Sequence, residues 1–491
     1  MSPIPDHSLQ QLAPSHTSII SLGDDILLEI FAQLSADELL PLRKTCRYFF
    51  HITSSRYLWH HIFERDVTKE HRPLPSYRKP LAELGTTELE ILTRRALRLD
   101  APCQQPTLTS FHRQQPVQWV RLVYGQWMLV ASGVSSSTLA LYSLTVMENG
   151  KPAKLAAVDL PGPASSGEYQ VQDDRLIVAL CFQSPKRMTR VFSVQSRNGT
   201  MEFATLSTLD GVSHIRCLRN DLLGCSAHGS TTAPCIANWK TGKVAPLPMP
   251  PHACGQALAM ALREDICVVV SPSSLTVYSI SPDGSAEDAQ VIQLEHPVGN
   301  VSISAEGEAL ALDEPADVQA PTRMLLFTAL AGGINVLRLR QRSHSRTSPP
   351  SSSPASRDEA PFSVDVLAQE DVKRGDVLSA KPSQPHFGGS TARLAWIYPP
   401  ASIFDRSGAS LVTGRFVARD KADARFEILS ECKSLQLPSF SLMPVVDYDD
   451  GAGLVALGNA MGELVVCNYG GPLDEAVARC FRHIPVPIVS A

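Results

Sequence analysis

The sequence predicts a multi-domain chain: a small all-α unit near the N-terminus, a helical linker, and a mainly-β domain that fills most of the 491 residues. Three observations support this fold class. Residues 22–63 show the apolar periodicity of short amphipathic helices, and a capped helix follows a proline-broken stretch after residue 67. From about residue 115 onward, strand-like apolar runs alternate with turn residues. Helices and strands in separate runs are typical of separate domains.

The first helix of the all-α unit is predicted from its apolar stripe. Five apolar side chains fall on one arc when successive residues are turned by about 100°. These residues are Ile26, Leu27, Ile30, Phe31 and Leu34. Ser35, followed three residues later by Glu38, has the spacing of a capping box and predicts the start of a second helix.

Pro41 shapes the expected course of the chain after this cap. Because proline lacks a backbone donor, we expect a short turn at 36–40 and a longer helix from 42 to about 52. Another apolar stripe predicts a further helix over 56–65. So small a unit buries little surface by itself, and it has more apolar positions than one small core can hide. The excess predicts docking against the helices of a partner.

Residues 21–66 resemble an F-box, the module that docks substrate receptors onto the Skp-type adaptor of cullin–RING ubiquitin ligases. Gly23 stands where the family usually has proline, and Pro41 interrupts the second helix. An ordinary helical hairpin packed on its own domain is the alternative. The positions that carry the resemblance are Leu22, Asp24, Asp25, Ile26, Leu27, Glu29, Ile30, Phe31, Leu34, Leu39, Leu40, Cys46, Arg47, Leu58 and Trp59.

The resemblance implies an apolar interface with the Skp-type adaptor. We expect nine residues to form it: Leu22, Ile26, Leu27, Ile30, Leu34, Leu39, Leu42, Leu58 and Trp59. Aromatic residues often dominate interfaces, so Trp59 is the strongest candidate for an anchor. Some of the nine must also form the core of the unit, so the set mixes two roles.

The linker at 67–112 contains one predicted helix. Thr87 and Glu90 have capping-box spacing, and the apolar residues that follow share one face. We expect this helix to join the F-box-like unit to the next domain and to limit their relative motion. Its far side is expected to be a solvated face, with an anion site as the alternative. This face carries three arginines: Arg94, Arg95 and Arg98.

Seven strand–turn–strand pairs are predicted in the mainly-β domain, at 115–475. They begin at residues 126, 175, 222, 266, 324, 410 and 453, and four of the six intervals lie between 43 and 49 residues. A period of roughly 40–50 residues is typical of the blades of a β-propeller. The sequence therefore predicts a seven-bladed β-propeller. Eight blades or a pair of β-sandwiches are the alternatives.

The propeller is inferred from its period, because the chain contains no Trp-Asp dipeptide of the WD type. The longest interval, of 86 residues, contains a Ser/Pro-rich insertion at about 341–361, expected to be a disordered loop. Residues 1–20 are expected to be a disordered N-terminal tail, and residues 476–491 a C-terminal tail.

Composition and motifs predict neither an enzyme nor a cofactor or metal protein. Nucleophile-elbow, zinc-protease, Walker and kinase patterns are absent. The net charge of −5 gives no case for nucleic-acid binding, and no apolar run approaches the roughly 18 residues of a membrane span. The 11 cysteines form no CxxC pair, which favours reduced thiols and a cytoplasmic or nuclear location.

Two clusters contain residue types that can bind metal ions. Cys217, Cys225 and Cys235 are spaced too irregularly, with the nearby histidines, for a zinc module, so we expect core thiols. The acidic run that contains Asp447 and Asp449 lacks the spacing of a calcium loop, so we expect a turn between strands.

The resemblance implies a substrate-recognition subunit of an SCF-type ubiquitin ligase. The F-box would bind the Skp-type adaptor and through it a cullin, and the propeller would hold an unidentified target protein. Arg216, Arg263 and Arg323 offer a basic rim for an acidic or phosphorylated peptide, with isolated surface charges as the alternative. A second hypothesis is a scaffold that uses the F-box outside the cullin complex. A third, an enzymatic propeller, is disfavoured because no converging acids, bases or metal ligands are seen.

Overall fold

The structure is a computed structural model. It describes residues 19–70, 72–75, 79–101, 105–134, 136–148, 150–173, 175–182, 187–227, 233–248, 257–263, 265–303, 324–330, 333–341, 362–371, 386–387, 393–398, 410–417, 425–432, 444–473, 475–480 and 488–489.

Helices dominate the chain before residue 101. A π-helical turn at Glu64–Thr68 extends the fourth helix, and short 3-10 turns lie at Ile19–Ser21 and Leu81–Glu83. The helices are α1 (Asp24–Ala32), α2 (Ala36–Arg43), α3 (Arg47–Thr53), α4 (Arg56–Phe63), α5 (Thr86–Asp100) and the short α6 (Glu475–Ala478).

The predicted capping box at the start of α2 is present. The amide of Glu38 donates to Ser35 Oγ at 3.3 Å, and the amide of Ser35 donates to the Glu38 carboxylate at 2.8 Å. The expected long helix at 42–52 is wrong, because α2 continues through Pro41 to Arg43 and α3 is a separate helix. Only two residues follow Pro41 in α2, so the missing donor removes one hydrogen bond without ending the helix.

The cap of α5 differs from the expected one. The amide of Gly85 donates to the Glu88 carboxylate at 2.7 Å, so the helix begins one residue before Thr87. Glu90, predicted to cap this helix, instead accepts a hydrogen bond of 2.7 Å from Arg43 on α2. A side chain expected to act locally therefore joins two helices.

The helical unit and α5 share one hydrophobic core. Phe31 and Phe49 meet edge to face with ring centroids 5.3 Å apart, and Leu89 and Leu92 of α5 are buried in the same cluster. Cys480, just after α6, is also buried there. The core that so small a unit lacks by itself is thus completed by α5 and by the far end of the chain.

The rest of the described chain consists of strands. They are β1 (Thr107–His112), β2 (Val117–Val123), β3 (Trp127–Ser132), β4 (Ser137–Glu148), β5 (Lys151–Leu160), β6 (Ala164–Gln172), β7 (Arg175–Phe182), β8 (Met188–Arg197), β9 (Thr200–Asp210), β10 (Val212–Arg219), β11 (Leu222–Ala227), β12 (Pro234–Asn238), β13 (Val244–Pro246), β14 (Ala259–Leu262), β15 (Ile266–Val270), β16 (Ser274–Ile280), β17 (Ala286–Gln293), β18 (Asn300–Ile303), β19 (Met324–Leu330), β20 (Gly333–Gln341), β21 (Phe362–Asp371), β22 (His386–Phe387), β23 (Arg393–Tyr398), β24 (Ser410–Val417), β25 (Arg425–Cys432), β26 (Val445–Asp449), β27 (Leu454–Gly458), β28 (Glu463–Asn468) and β29 (Ile488–Val489).

These strands form seven antiparallel sheets, each built on four strands. Six sheets pair consecutive strands: β2–β5, β6–β9, β10–β13, β14–β17, β18–β21 and β22–β25. In the seventh sheet β26, β27 and β28 are followed by β1 from the other end of the domain. The short β29 adds a fifth strand, parallel to β8, to the second sheet.

The first strands of the sheets contact one another in a closed cycle. β2 contacts β6, and the contacts continue through β10, β14, β18, β22 and β26 back to β2. Such radial repetition is consistent with a propeller-like domain. The predicted fold class, a small helical unit followed by a mainly-β domain, is confirmed.

The seventh sheet closes through a strand that falls inside the segment assigned to the linker. Thr107 lies opposite Asn468 and His112 opposite Glu463, so β1 is the outer strand of that sheet. The side chains of β1 are mostly exposed. Its local sequence therefore lacks the apolar signal of a strand, and its partner is supplied by the other end of the domain.

The sixth predicted strand pair occupies a different place in its sheet from the other six. Those six form the second and third strands of their sheets, whereas the pair from Ser410 forms the third and fourth, β24 and β25. Because this pair begins one strand later in its sheet than the others, it lengthens the predicted interval of 86 residues between the fifth and sixth pairs. Residues 342–361 of the predicted insertion, and residues 1–18 of the predicted tail, lie outside the described residues.

Candidate functional site

The structure separates the nine predicted interface residues by burial. Four are fully buried in the core of the helical unit: Leu27, Leu39, Leu58 and Trp59. Leu22, Leu34 and Leu42 are half-buried against the same core. Ile26 and Ile30 point outward, with 49% and 40% of their surfaces exposed.

Trp59 belongs to the core rather than to an exposed surface. Its indole nitrogen donates to the carbonyl of Thr53 at 2.9 Å, and the Arg43 guanidinium lies 5.6 Å from its ring. Arg43 in turn pairs with Glu90 of α5. The placement therefore corrects the expectation that Trp59 anchors a partner. Helix spacing put Trp59 on an apolar stripe, but only packing shows that α5 helps to cover this stripe.

Ile26 and Ile30 form an exposed apolar face on α1, the Ile26–Ile30 face. Residues four apart in a helix lie on the same side, one turn above the other. Two further exposed isoleucines, Ile19 and Ile20, lie in the 3-10 turn just before α1. Large exposed apolar side chains grouped in this way are typical of a protein interface.

Hydrogen bonds from neighbouring helices fix the orientation of α1. Tyr48 of α3 donates to Asp24 at 2.5 Å, and Tyr57 of α4 donates to Glu29 at 3.0 Å. These bonds raise the pKa of both tyrosine hydroxyls. Arg65 donates to the carbonyls of Ala32 and Leu34 at the end of α1. Held at both ends, α1 presents the Ile26–Ile30 face with little freedom left to lose on binding.

Arg95 attaches α5 to the mainly-β domain. Only 4% of its surface is exposed. Its guanidinium donates to the carbonyl of Gly470 at 3.2 Å, to that of Gly471 at 3.4 Å, and to that of Ala452. The expectation of a solvated arginine face is therefore wrong at Arg95, because this face of α5 is the one that meets the seventh sheet.

Asp100, the last residue of α5, gives a second attachment. It accepts a hydrogen bond of 2.6 Å from Arg393 of the sixth sheet, and it pairs with Arg415 of that sheet and with Arg72. Arg393 also donates to the carbonyl of Leu99 at 2.8 Å. Charge-assisted bonds of this kind, partly buried, are stronger than exposed ones. Helix α5 is thus bonded to two neighbouring sheets.

Two glycines allow α5 to approach the seventh sheet closely. Gly453 has φ +64°, a conformation that favours glycine, and a side chain there would collide with Leu99. A side chain at Gly470 would overlap the guanidinium of Arg95. Both positions lie at turns of the seventh sheet, so the sheet is shaped to receive the helix.

The attachment points define which face of the propeller-like domain the helical unit covers. Ala452 and Gly453 lie between the first strand β26 and the second strand β27, and Arg393 begins the second strand β23. Gly470 follows the third strand β28, which ends on the same side because the strands are antiparallel. The turns between second and third strands lie on the opposite face. Met461 in one of these turns is exposed, and the helical unit is attached at the other end of the sheets.

A charged cluster joins three first strands near the centre of the ring. Arg121 of β2 pairs with Glu168 of β6 at 2.8 Å and lies 3.6 Å from Asp447 of β26. Asp447 accepts a hydrogen bond of 2.6 Å from the amide of Leu122. Burial raises the pKa of Asp447 to about 6 and outweighs the lowering effect of Arg121.

The carboxylates of the acidic run at the end of β26 accept hydrogen bonds from backbone amides. Asp449 accepts a hydrogen bond of 2.9 Å from the amide of Ala452, and Asp450 accepts one of 2.8 Å from Gly451. These bonds hold the turn between β26 and β27, as expected from the sequence. Within the described residues there is no group of three or more His, Cys, Asp or Glu side chains arranged to hold a metal ion.

Asp447→Asn is expected to weaken the pH dependence of stability between about pH 4 and 7. The folded carboxyl holds its proton up to a pKa of about 6, whereas its ordinary value is 3.8. Its stabilising contribution is therefore complete below the ordinary pKa and is lost as the pH rises through 6. The loss amounts to about 3 kcal/mol between these limits. Asparagine keeps the acceptor for Leu122, and urea unfolding at several pH values measures the difference between variant and wild type. Parallel pH profiles would contradict the prediction.

The three arginines proposed as a basic rim are only partly described. Arg216 lies on β10, where burial lowers the pKa of its guanidinium. Arg263 follows β14, the neighbouring first strand, and Arg323 lies outside the described residues. The basic rim stays a prediction.

Comparison with known families identifies the helical unit. Residues 19–65 match the family model described as F-box-like. This range covers α1 to α4, including the Ile26–Ile30 face. A search of curated proteins found no match to the chain. No helix in the described part of the chain is long and apolar enough to span a membrane. The chain therefore has an F-box-like domain followed by a mainly-β region of propeller-like architecture.

Proposed function

We propose that this protein is the substrate-recognition subunit of an SCF-type E3 ubiquitin ligase. The F-box-like domain binds a Skp-type adaptor and through it a cullin, and the propeller-like domain binds a target protein. The chain makes and breaks no bonds itself. It acts in the cytoplasm or nucleus by raising the local concentration of the target near the catalytic subunits of the ligase.

The observation that carries this proposal is the Ile26–Ile30 face of the F-box-like domain. Its two isoleucines remain exposed although the domain already packs against α5 and Cys480. Exposed apolar side chains on a helix held in place by its neighbours fit a groove between the helices of a partner. The half-buried Leu22, Leu34 and Leu42 extend the set of residues proposed for this interface.

The attachment of α5 supports a role in presenting a target. Arg95 and Asp100 bond the helix to the seventh and sixth sheets, so the adaptor-binding domain has a fixed orientation relative to the ring. The helical unit is attached to one face of the propeller-like domain. We propose that the target binds the opposite face, where the exposed Val134 and Met461 lie in turns between second and third strands.

Co-purification of the adaptor and a cullin tests the proposal. The tagged full chain is isolated from cells, and the adaptor and the cullin recovered with it are quantified. The control is the tagged full chain that carries Ile26→Asp and Ile30→Asp. Recovery of both proteins with the chain supports a ligase receptor. Recovery of the adaptor without a cullin favours a scaffold outside the cullin complex, and recovery of neither contradicts both functions.

A further inference from the structure

Two thiols face each other inside the third sheet of the propeller-like domain. Cys225 of β11 lies directly opposite Cys235 of β12 in the strand register. Their sulfur atoms are 3.4 Å apart, and both residues are fully buried. No interaction with the F-box-like domain involves this pair among the described contacts, so it is independent of adaptor docking.

The backbone geometry of this pair is compatible with a disulfide. Trp239 donates to the carbonyl of Asp221 at 2.9 Å, and Ala227 donates to that of Ala233 at 3.2 Å. Hydrogen-bonded positions alternate along an antiparallel pair, so Cys225 and Cys235 also occupy one, with their Cα atoms roughly 5.5 Å apart. Disulfides usually join Cα atoms about 4.4–6.8 Å apart. Opposed Cβ atoms in a sheet lie about 4.5–5.5 Å apart, and a disulfide holds them about 3.5–4.5 Å apart. A bond therefore requires side-chain rotation and a small approach of the two strands.

The two thiols differ in acidity because they share a hydrogen bond. A thiol proton on Cys225 that points at the Cys235 sulfur stabilises a thiolate there and lowers the pKa of Cys235. The same contact and burial raise the pKa of Cys225. A thiolate is the reactive form of cysteine, so Cys235 is the better nucleophile and Cys225 the resolving thiol.

We propose that Cys225 and Cys235 form a redox-sensitive dithiol that a hydroperoxide converts to an intramolecular disulfide. The Cys235 thiolate attacks one peroxide oxygen; an S–O bond forms, the O–O bond breaks, and the leaving hydroxide takes a proton to become water. The Cys225 sulfur then attacks the sulfenic sulfur of Cys235. The S–S bond forms, the S–O bond breaks, and a second water leaves with the Cys225 proton.

Two features of the third sheet favour this reaction. Its outer strand, β13, has only three residues, so local opening exposes Cys235 to a molecule as small as hydrogen peroxide. The sulfur of Cys225 is already in contact with the site of the sulfenic acid, which favours closure of the disulfide over further oxidation. Oxidation would join β11 and β12 covalently.

Peptide mapping tests the proposal in the full chain. Both cysteines lie in the segment 220–240, which follows Arg219 and ends at Lys240, so trypsin releases them in one peptide. The reduced protein is treated with increasing hydrogen peroxide, its free thiols are alkylated, and circular dichroism monitors folding. We expect peptide 220–240 to lose two hydrogens and both alkylation sites while the protein stays folded. Excess glutathione should restore both thiols.

Matched variants assign the product to this pair. Cys225→Ser and Cys235→Ser should each abolish the intrapeptide disulfide. Cys181→Ser, which removes another buried thiol in the neighbouring sheet, should leave it unchanged. The proposal is overturned if peptide 220–240 keeps both thiols at doses that oxidise the half-exposed Cys46, or if the disulfide forms only after the protein has unfolded.

Discussion

Replacing Ile26 and Ile30 together with aspartate is expected to abolish co-purification of the Skp-type adaptor while the chain stays folded. The two side chains are about half exposed, so their replacement removes little from the core of the F-box-like domain. In a complex, however, two carboxylates would be buried without partners. Interface hot spots each contribute about 2 kcal/mol or more, so the pair should weaken binding by about a thousandfold.

Two control variants separate a lost interface from a lost fold. Met461→Asp places the same charge at an exposed apolar position on the far face of the ring and should leave adaptor binding unchanged. Trp59→Phe removes the hydrogen bond to Thr53 and should lower stability by about 1–3 kcal/mol without weakening adaptor binding by the folded protein. Undiminished binding by the Ile26/Ile30 double variant would contradict the proposed interface.

Arg95→Met is expected to destabilise the junction between α5 and the seventh sheet by about 3–5 kcal/mol. Methionine fills similar space but leaves the carbonyls of Ala452, Gly470 and Gly471 without this donor. A buried acceptor that loses its partner costs more than the hydrogen bond itself contributes. We expect the F-box-like domain to become mobile relative to the ring, which exposes residues 72–101 to protease.

Arg94→Met is the matched control, one residue earlier on the same helix. Arg94 is exposed, and its ion pair with Glu90 spans 3.6 Å, so its loss should change stability by less than about 0.5 kcal/mol. Urea unfolding measures both variants, and limited proteolysis reports the junction. Equal unfolding and equal cleavage of the two variants would show that Arg95 does not hold the junction.

Local chemistry accounts for the parts of the fold that the sequence predicted well. The capping box of Ser35 and Glu38 involves groups three residues apart, so it can be read without tertiary information. The strand pairs of the mainly-β domain were visible because buried strands carry continuous apolar runs. Six of the seven predicted pairs form the second and third strands of their sheets. Each of these strands is paired with another strand along both of its edges.

Prediction from neighbouring residues is wrong where the partner of a strand or side chain lies far away in the sequence. β1 is mostly exposed and has little apolar signal, yet it completes the seventh sheet beside β28. Arg95 resembled its exposed neighbours on α5, but it is buried because the turn at Gly470 and Gly471 lies against it. Glu90 has the spacing of a capping residue for α5, but its carboxylate accepts a hydrogen bond from Arg43 of α2 instead.

The sequence by itself determined that an F-box-like helical unit precedes a β-domain of repeated units, because helix and strand periodicity depend on neighbours a few residues apart. Only the tertiary structure decided which side of each helix remains free. Ile26 and Trp59 both lie on apolar stripes, and the sequence treats them alike. Packing buries Trp59 in the core shared with α5 and leaves Ile26 exposed, since burial depends on where distant segments meet.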